Sequence, residues 1–299
     1  MIEHEGKQFD DTRFRPLEFS RRAARNLRNN ECEMIVVFGM PMGIGKSAYV
    51  NHTLADVMGF LKEKDWNRLK WMFPRKDYGQ RKVDDEIWEA DYEAAKPLIK
   101  YEPSEVVTWL MGMLTKHEKV PMWHWDDGGV WLNAMEYNDP FVIAFMEFSS
   151  LMRSVCGVAV ISTPVEEWVL KKLRTALGVI HAPVIKLGDD SHFWKPRRST
   201  PYKRSHNPYY RKAICERQWQ DDFTAIMPDA FYRWYSPVRD SYAVKSVARL
   251  AISLERRKAK GHHVEVDESI LAEMKEDIAD ANDKSVELRE IIAQTTAER

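Results

Sequence analysis

Apolar and polar positions along this chain fall into two rhythms. Four short runs rich in β-branched and aromatic residues, Met34 to Phe38, Val120 to Trp125, Gly157 to Ile161 and Gly178 to Gly188, are bounded by glycine, proline, aspartate or hydroxyl residues. That is the pattern of buried strands. Between them lie longer stretches with apolar residues at helical spacing, one from about Lys46, one from Val106 and one over Asp139 to Val155. A further helix opens at Pro164, with acids in its first turn, and runs to Arg174. Strands separated by helices predict an α/β fold with a mostly parallel central sheet flanked by helices. The fourth strand is the least clean, because Pro183 cannot donate to a ladder.

The first strand breaks into Gly39-Met-Pro-Met-Gly43-Ile44-Gly45-Lys46-Ser47-Ala48 before its helix. Glycines let backbone N–H groups curl around a phosphate, a lysine reaches the outer phosphates and a serine hydroxyl reaches Mg²⁺. Residues 43 to 48 are therefore the candidate ATP-binding loop, a P-loop, with the helix dipole facing the anion. The usual spacing puts glycine or alanine where this chain has Met40; Gly39 sits one place early, and Gly43 is expected to take over part of its role. The plain alternative is a glycine-rich strand-to-helix turn.

Nucleotide hydrolysis also needs an acid at a second strand end. Val120 to Trp125 closes on Asp126-Asp127-Gly128-Gly129. Adjacent strand residues face opposite sides, so the two acids need not do the same work. Asp126 is the candidate metal ligand with Ser47, and Asp127 the candidate base for the attacking water. Asp126-x-x-Gly129 also fits the GTPase pattern, but no Asn-Lys-x-Asp follows to read guanine. Two turn-forming aspartates before Gly-Gly are the structural alternative.

The third strand ends in Ser162-Thr163-Pro164, and Thr163 or Ser162 could read the γ-phosphate or the water. ATPases of this kind often take an arginine from a neighbouring subunit. Arg153 and Arg174 each follow a core helix, Arg153 being preferred, and a homo-oligomer is expected.

Composition narrows the partners. The 299 residues suffice for one large α/β domain with appendages or two small ones. Net charge is −1, so a polyanion site must be local. No apolar run approaches the ~18 residues of a membrane span. Cys32, Cys156 and Cys215 lack metal spacing and suit a reducing, cytoplasmic setting. Four regions are expected: a basic N-terminal helix (1–30), the P-loop core (31–190), a basic and aromatic segment (191–242) and a charged helical C-terminal extension (243–299). Residues 192–212 interleave cations with aromatics, and Lys195, Arg197, Arg198, Tyr202, Lys203, Arg204, Tyr209 and Tyr210 are the candidate DNA contacts. The same segment equally fits a hairpin packed on the core with its charges in water.

The loop from Gly39 to Ser47, Tyr101-x-Pro103 before a helix, Trp125-Asp126-Asp127-Gly-Gly-Val-Trp131, Asn138-Asp139-Pro140-Phe141 and Ser162-Thr163-Pro164-x-x-x-Trp168 together resemble P-loop ATPases of archaeal viruses and plasmids. The likeness covers about residues 31 to 242, and extends distantly to the zonula occludens toxin and viral DNA-packaging ATPases. It implies an additional-strand catalytic-acid fold, Mg-ATP hydrolysis in the cytoplasm of a host cell, and a ring that handles DNA. A DNA-handling ATPase is thus the leading expectation. A nucleotide-dependent assembly switch and a small-molecule kinase are the alternatives.

Overall fold

The computed structural model describes residues 14–15, 17–41, 43–62, 81–82, 85–133, 138–175, 178–187, 197–207 and 212–242. Lys195, Tyr209, Tyr210 and the C-terminal extension 243–299 lie outside them. The chain divides into two compact units, Met1–Pro228 and Asp229–Arg299.

The first unit carries an α/β core. Five strands, β2 (Glu33–Phe38), β4 (Ile99–Lys100), β5 (Val120–Trp125), β6 (Cys156–Thr163) and β7 (Ile180–Lys186), run parallel in the order β7-β2-β6-β5-β4. Every residue of β6 is buried. A parallel strand with neighbours on both edges and helices on its faces has no wet side, hence its continuous apolar sequence. Helices α1 (Glu18–Asn29), α2 (Lys46–Lys62), α3 (Asp85–Ala95), α4 (Pro103–Lys116) and α5 (Pro140–Ser149) surround this sheet. A separate two-stranded ladder joins β1 (Phe14–Arg15) and β3 (Arg81–Lys82).

The basic segment enlarges the same sheet. Strands β8 (Arg197–Ser199) and β9 (Tyr202–Asn207) both lie antiparallel to β7, while β10 (Lys212–Arg217) pairs with β9 and β11 (Asp221–Phe223) with β8. Along β7 the antiparallel register jumps from His181↔Tyr202 to Val184↔Ser199. Pro183 falls in that gap, where its missing N–H leaves no antiparallel partner unsatisfied.

Two helices end sooner than their periodicity predicts. The helix expected over Asp139 to Val155 is α5, capped by the Asp139 carboxylate (Phe141 N–H, 2.7 Å), followed by a separate 3₁₀ turn at Met152–Ser154. The Ser149 and Ser150 hydroxyls donate back to the carbonyls of Met146 and Glu147 and compete with the backbone ladder. The helix expected from Pro164 to Arg174 is a 3₁₀ turn, Glu166–Trp168, and a four-residue α6, Lys171–Arg174. Between them the backbone is captured by the turn after β5, through an Asn133↔Val169 bridge and a Leu170 N–H to Leu132 bond at 2.9 Å.

Helix α1 has no cap of its own at Leu17. Its free N–H groups are met from far along the chain instead: Asp56 accepts from Leu17, and Asp221 from Glu18 and Phe19, at 2.7–3.1 Å. Of its arginines, Arg21 pairs with Glu18 and Arg22 with Glu33. The second unit contributes α7 (229–242), where Phe231 and Tyr235 stack at 5.9 Å. Among the described residues no helix is long and apolar enough to cross a membrane.

Candidate functional site

The parallel registers Phe38↔Thr163, Phe38↔Pro183 and Trp125↔Ile161 bring the carboxyl ends of β2, β5, β6 and β7 to one edge of the sheet. Open α/β sheets bind ligands at this edge. Here the glycine turn after β2 meets the two acids after β5.

Each glycine of the turn has its own reason. Gly43 (φ +78°) and Gly45 (φ +104°) occupy backbone conformations that side chains resist, and the space beside Gly43 is open. Gly39 is demanded by packing, since a Cβ there would lie 2.5 Å from the Val184 carbonyl of β7. Ile44 and Ala48 are buried beneath the turn. Lys46 is buried as well, and its Nζ donates to the Gly39 carbonyl at 3.2 Å, so the ammonium spans the turn.

Asp126 is buried at the end of β5, and its Oδ1 accepts hydrogen bonds from two other elements, with a histidine of its own strand nearby. It accepts from the Ser47 hydroxyl of α2 at 2.8 Å and from the Ser162 hydroxyl of β6 at 2.7 Å, with His124 Nε2 at 3.5 Å. Burial holds the His124 pKa below its usual value, against the pull of Asp126, which keeps the imidazole neutral near pH 7. The other ring nitrogen faces Asn51 Oδ1 at 3.2 Å. Neither His124 nor Asn51 was legible as a site residue, one reading as a strand position and the other as a helix position.

Asp127 sits at φ +51°, an uncommon conformation that aspartate tolerates better than most residues. Its N–H donates to Ser162 Oγ at 2.9 Å, so one hydroxyl bridges both acids. The structure therefore joins Ser162 to the acid pair, whereas the Thr163 hydroxyl donates to the Val165 carbonyl at 3.0 Å. Arg153 is exposed just before β6, at the opposite edge of the sheet, roughly 23 Å of strand from Thr163. Arg174 belongs to the crossover towards β7; against the effect of burial, the His181 contact and then the charges of Arg204 and Arg174 lower the pKa of Glu166.

The described cations of the basic segment already hold internal partners. Arg197 is fully buried, and its Nε donates to the Ile44 carbonyl of the glycine turn at 3.0 Å. Arg198 pairs with Asp222 (2.6 Å), Lys203 with Glu33 (2.8 Å) and Arg204 with Glu166 (2.9 Å). Tyr202 stacks on His181 at 5.3 Å. The described part of this stretch is a β-hairpin on the core, in which Arg197 is buried rather than in water.

No protein-family model matches this chain, and no curated protein matches it in sequence.

Proposed function

We propose that this chain is a P-loop, Mg²⁺-dependent ATP hydrolase. The observation that carries the reading is the 2.8 Å bond from the Ser47 hydroxyl to Asp126, made across an intervening strand, β6. A serine behind a glycine-lysine turn and an acid two strands away are the two protein oxygens such an enzyme offers a magnesium ion. Among the described residues no three His, Cys, Asp or Glu side chains could hold a metal. That fits Mg²⁺, which takes few protein ligands and completes its shell with phosphate and water. Bound there, the ion would supply charge neutralisation for the phosphates.

The remaining roles follow from placement. Lys46 exchanges the Gly39 carbonyl for the β- and γ-phosphates. Gly43 and Gly45 let the turn wrap an anion, and Asp127, held by Ser162, accepts the proton of the attacking water. Lys46→Ala should abolish hydrolysis and weaken ATP binding. Asp127→Asn should bind ATP and fail to turn it over, and normal turnover in both variants rejects the reading.

In this reading hydrolysis is coupled to DNA, and the exposed Arg204, on the strand face opposite to half-buried Lys203, is the described contact point. A nucleotide-dependent assembly switch is the second reading. It is favoured because Lys203 and Arg204 bind Glu33 and Glu166 of the core and so tie the hairpin to β2 and the β6 crossover. ATP turnover with and without single- and double-stranded DNA separates them: stimulation supports the first, and indifference the second.

A further inference from the structure

We propose that Cys32 and Cys156 form a reversible disulfide, an oxidation-sensitive tether at the sheet edge opposite the candidate nucleotide site. The two sulfurs lie 124 residues apart in sequence and 3.9 Å apart in space. Cys32 immediately precedes β2 and Cys156 opens β6, strands that run side by side in the register Glu33↔Val158. Both thiols are free. A disulfide requires the sulfurs at about 2.05 Å, so closure needs a movement of about 2 Å.

The environments assign a role to each sulfur. Cys32 is half-buried and Cys156 buried. The hydrogen-bonding contact with Cys156 lowers the Cys32 pKa, with burial and Glu33 opposing and Lys119 assisting, while burial pushes the Cys156 thiol up. Cys32 is thus the attacking thiolate and Cys156 the resolving thiol. With hydrogen peroxide as oxidant, the Cys32 sulfur attacks one peroxide oxygen, the O–O bond breaks and hydroxide leaves, giving a sulfenic acid. The Cys156 sulfur then attacks the Cys32 sulfur, the S–O bond breaks, and water leaves with the Cys156 proton. The hydroxide takes up the proton first lost from Cys32, so two thiols and one peroxide become one disulfide and two waters. A dithiol reductant reverses the step.

The consequence reaches the site through the strands. β2 leads into the glycine turn and β6 carries Ser162 as its penultimate residue, so the tether clamps both strands at their far ends. It also closes a loop containing α2 and Asp126, which restricts the unfolded chain.

The test treats the full-length folded protein with a few equivalents of hydrogen peroxide, then alkylates and weighs it. The expected product has lost two hydrogens, carries one alkylatable thiol at exposed Cys215 and yields a peptide cross-linked between Cys32 and Cys156. Its thermal midpoint should rise by several degrees, and dithiothreitol should undo both changes. Cys32→Ser, half-buried and tolerant, should lose the cross-link and the shift, whereas Cys215→Ser should keep them. Three alkylatable thiols after treatment, oxygen added to Cys32 without a cross-link, or linkage only between chains through Cys215 would each overturn the proposal.

Discussion

Arg197 Nε and the Ile44 carbonyl, separated by 153 residues, meet at 3.0 Å and tie the glycine turn to a strand on the far side of β7. Arg197→Ala should lower unfolding free energy by about 2–4 kcal/mol, from a lost charge-assisted bond and the hole beneath the turn. ATP affinity should fall about tenfold, roughly 1.4 kcal/mol. Arg197→Lys should rescue little, because an ammonium does not reproduce the planar donor set. The salt slope of any DNA binding should stay unchanged, since the guanidinium is buried. Urea unfolding and ATP titration measure the first effects, and a slope reduced by about one unit would return Arg197 to a phosphate-contact role.

Ser162 and Thr163 are neighbours that sequence could not separate. Because Ser162 Oγ bridges Asp126 and Asp127, Ser162→Ala should cut turnover roughly tenfold or more, about 1.4 kcal/mol of barrier, while ATP binding persists. Thr163→Ala should cost less, as its hydroxyl serves its own turn. Steady-state kinetics with ATP titration decides, and a larger loss at Thr163 reverses the assignment.

Glu33 supplies a pH-dependent stabilisation. Burial raises its pKa, but hydrogen bonds from Arg22, Lys203 and Asn26 outweigh that and hold it at about 2, below the usual 4.5. The folded value is the lower one, so the contribution is complete above pH 4.5 and disappears as pH falls towards 2. With allowance for partial solvent screening it is on the order of 2 kcal/mol. Urea midpoints from pH 5 to 2.5 should fall less steeply in Glu33→Gln than in wild type.

Asp221 has the opposite sign. Burial raises its pKa from 3.8 to about 6, against hydrogen bonds from Tyr49 and the α1 backbone. The folded protein therefore takes up the proton first, and between pH 4 and 6 stability falls as pH rises. Moving from pH 7 to pH 5 should return on the order of 1 kcal/mol at this residue. His124, held neutral by burial, pulls the other way below its usual pKa, so the difference between wild type and Asp221→Asn isolates the effect. An identical pH slope in both proteins would refute it.

A mixing experiment addresses the arginines. If either acts across subunits, inactive Arg153→Ala or Arg174→Ala protein should regain turnover when mixed with Lys46→Ala. Arg153, at the sheet edge away from the glycine turn, can serve only a neighbour's site. Recovery with neither variant would rule out action between subunits.

The strands, the glycine turn with Lys46 and Ser47, and the paired acids after Trp125 were legible in the sequence because each is a local property. Alternation, chain reversal and positive φ are imposed on residues within a few positions of one another. What the tertiary structure alone decided is who meets whom. The order β7-β2-β6-β5-β4 sets β6 between the glycine turn and the acids, which makes Ser162 the bridge and brings Ser47 to Asp126 across 79 residues. The same long-range packing draws Arg197 under the turn, sends Asp221 to cap a helix 203 residues away, and brings together thiols 124 residues apart. It also breaks the helix after Pro164, because a backbone bridge from Asn133 outweighs the local helical preference. Periodicity registers which face of a segment is apolar, but not which distant segment will cover it; that choice is made by the packing of the whole sheet.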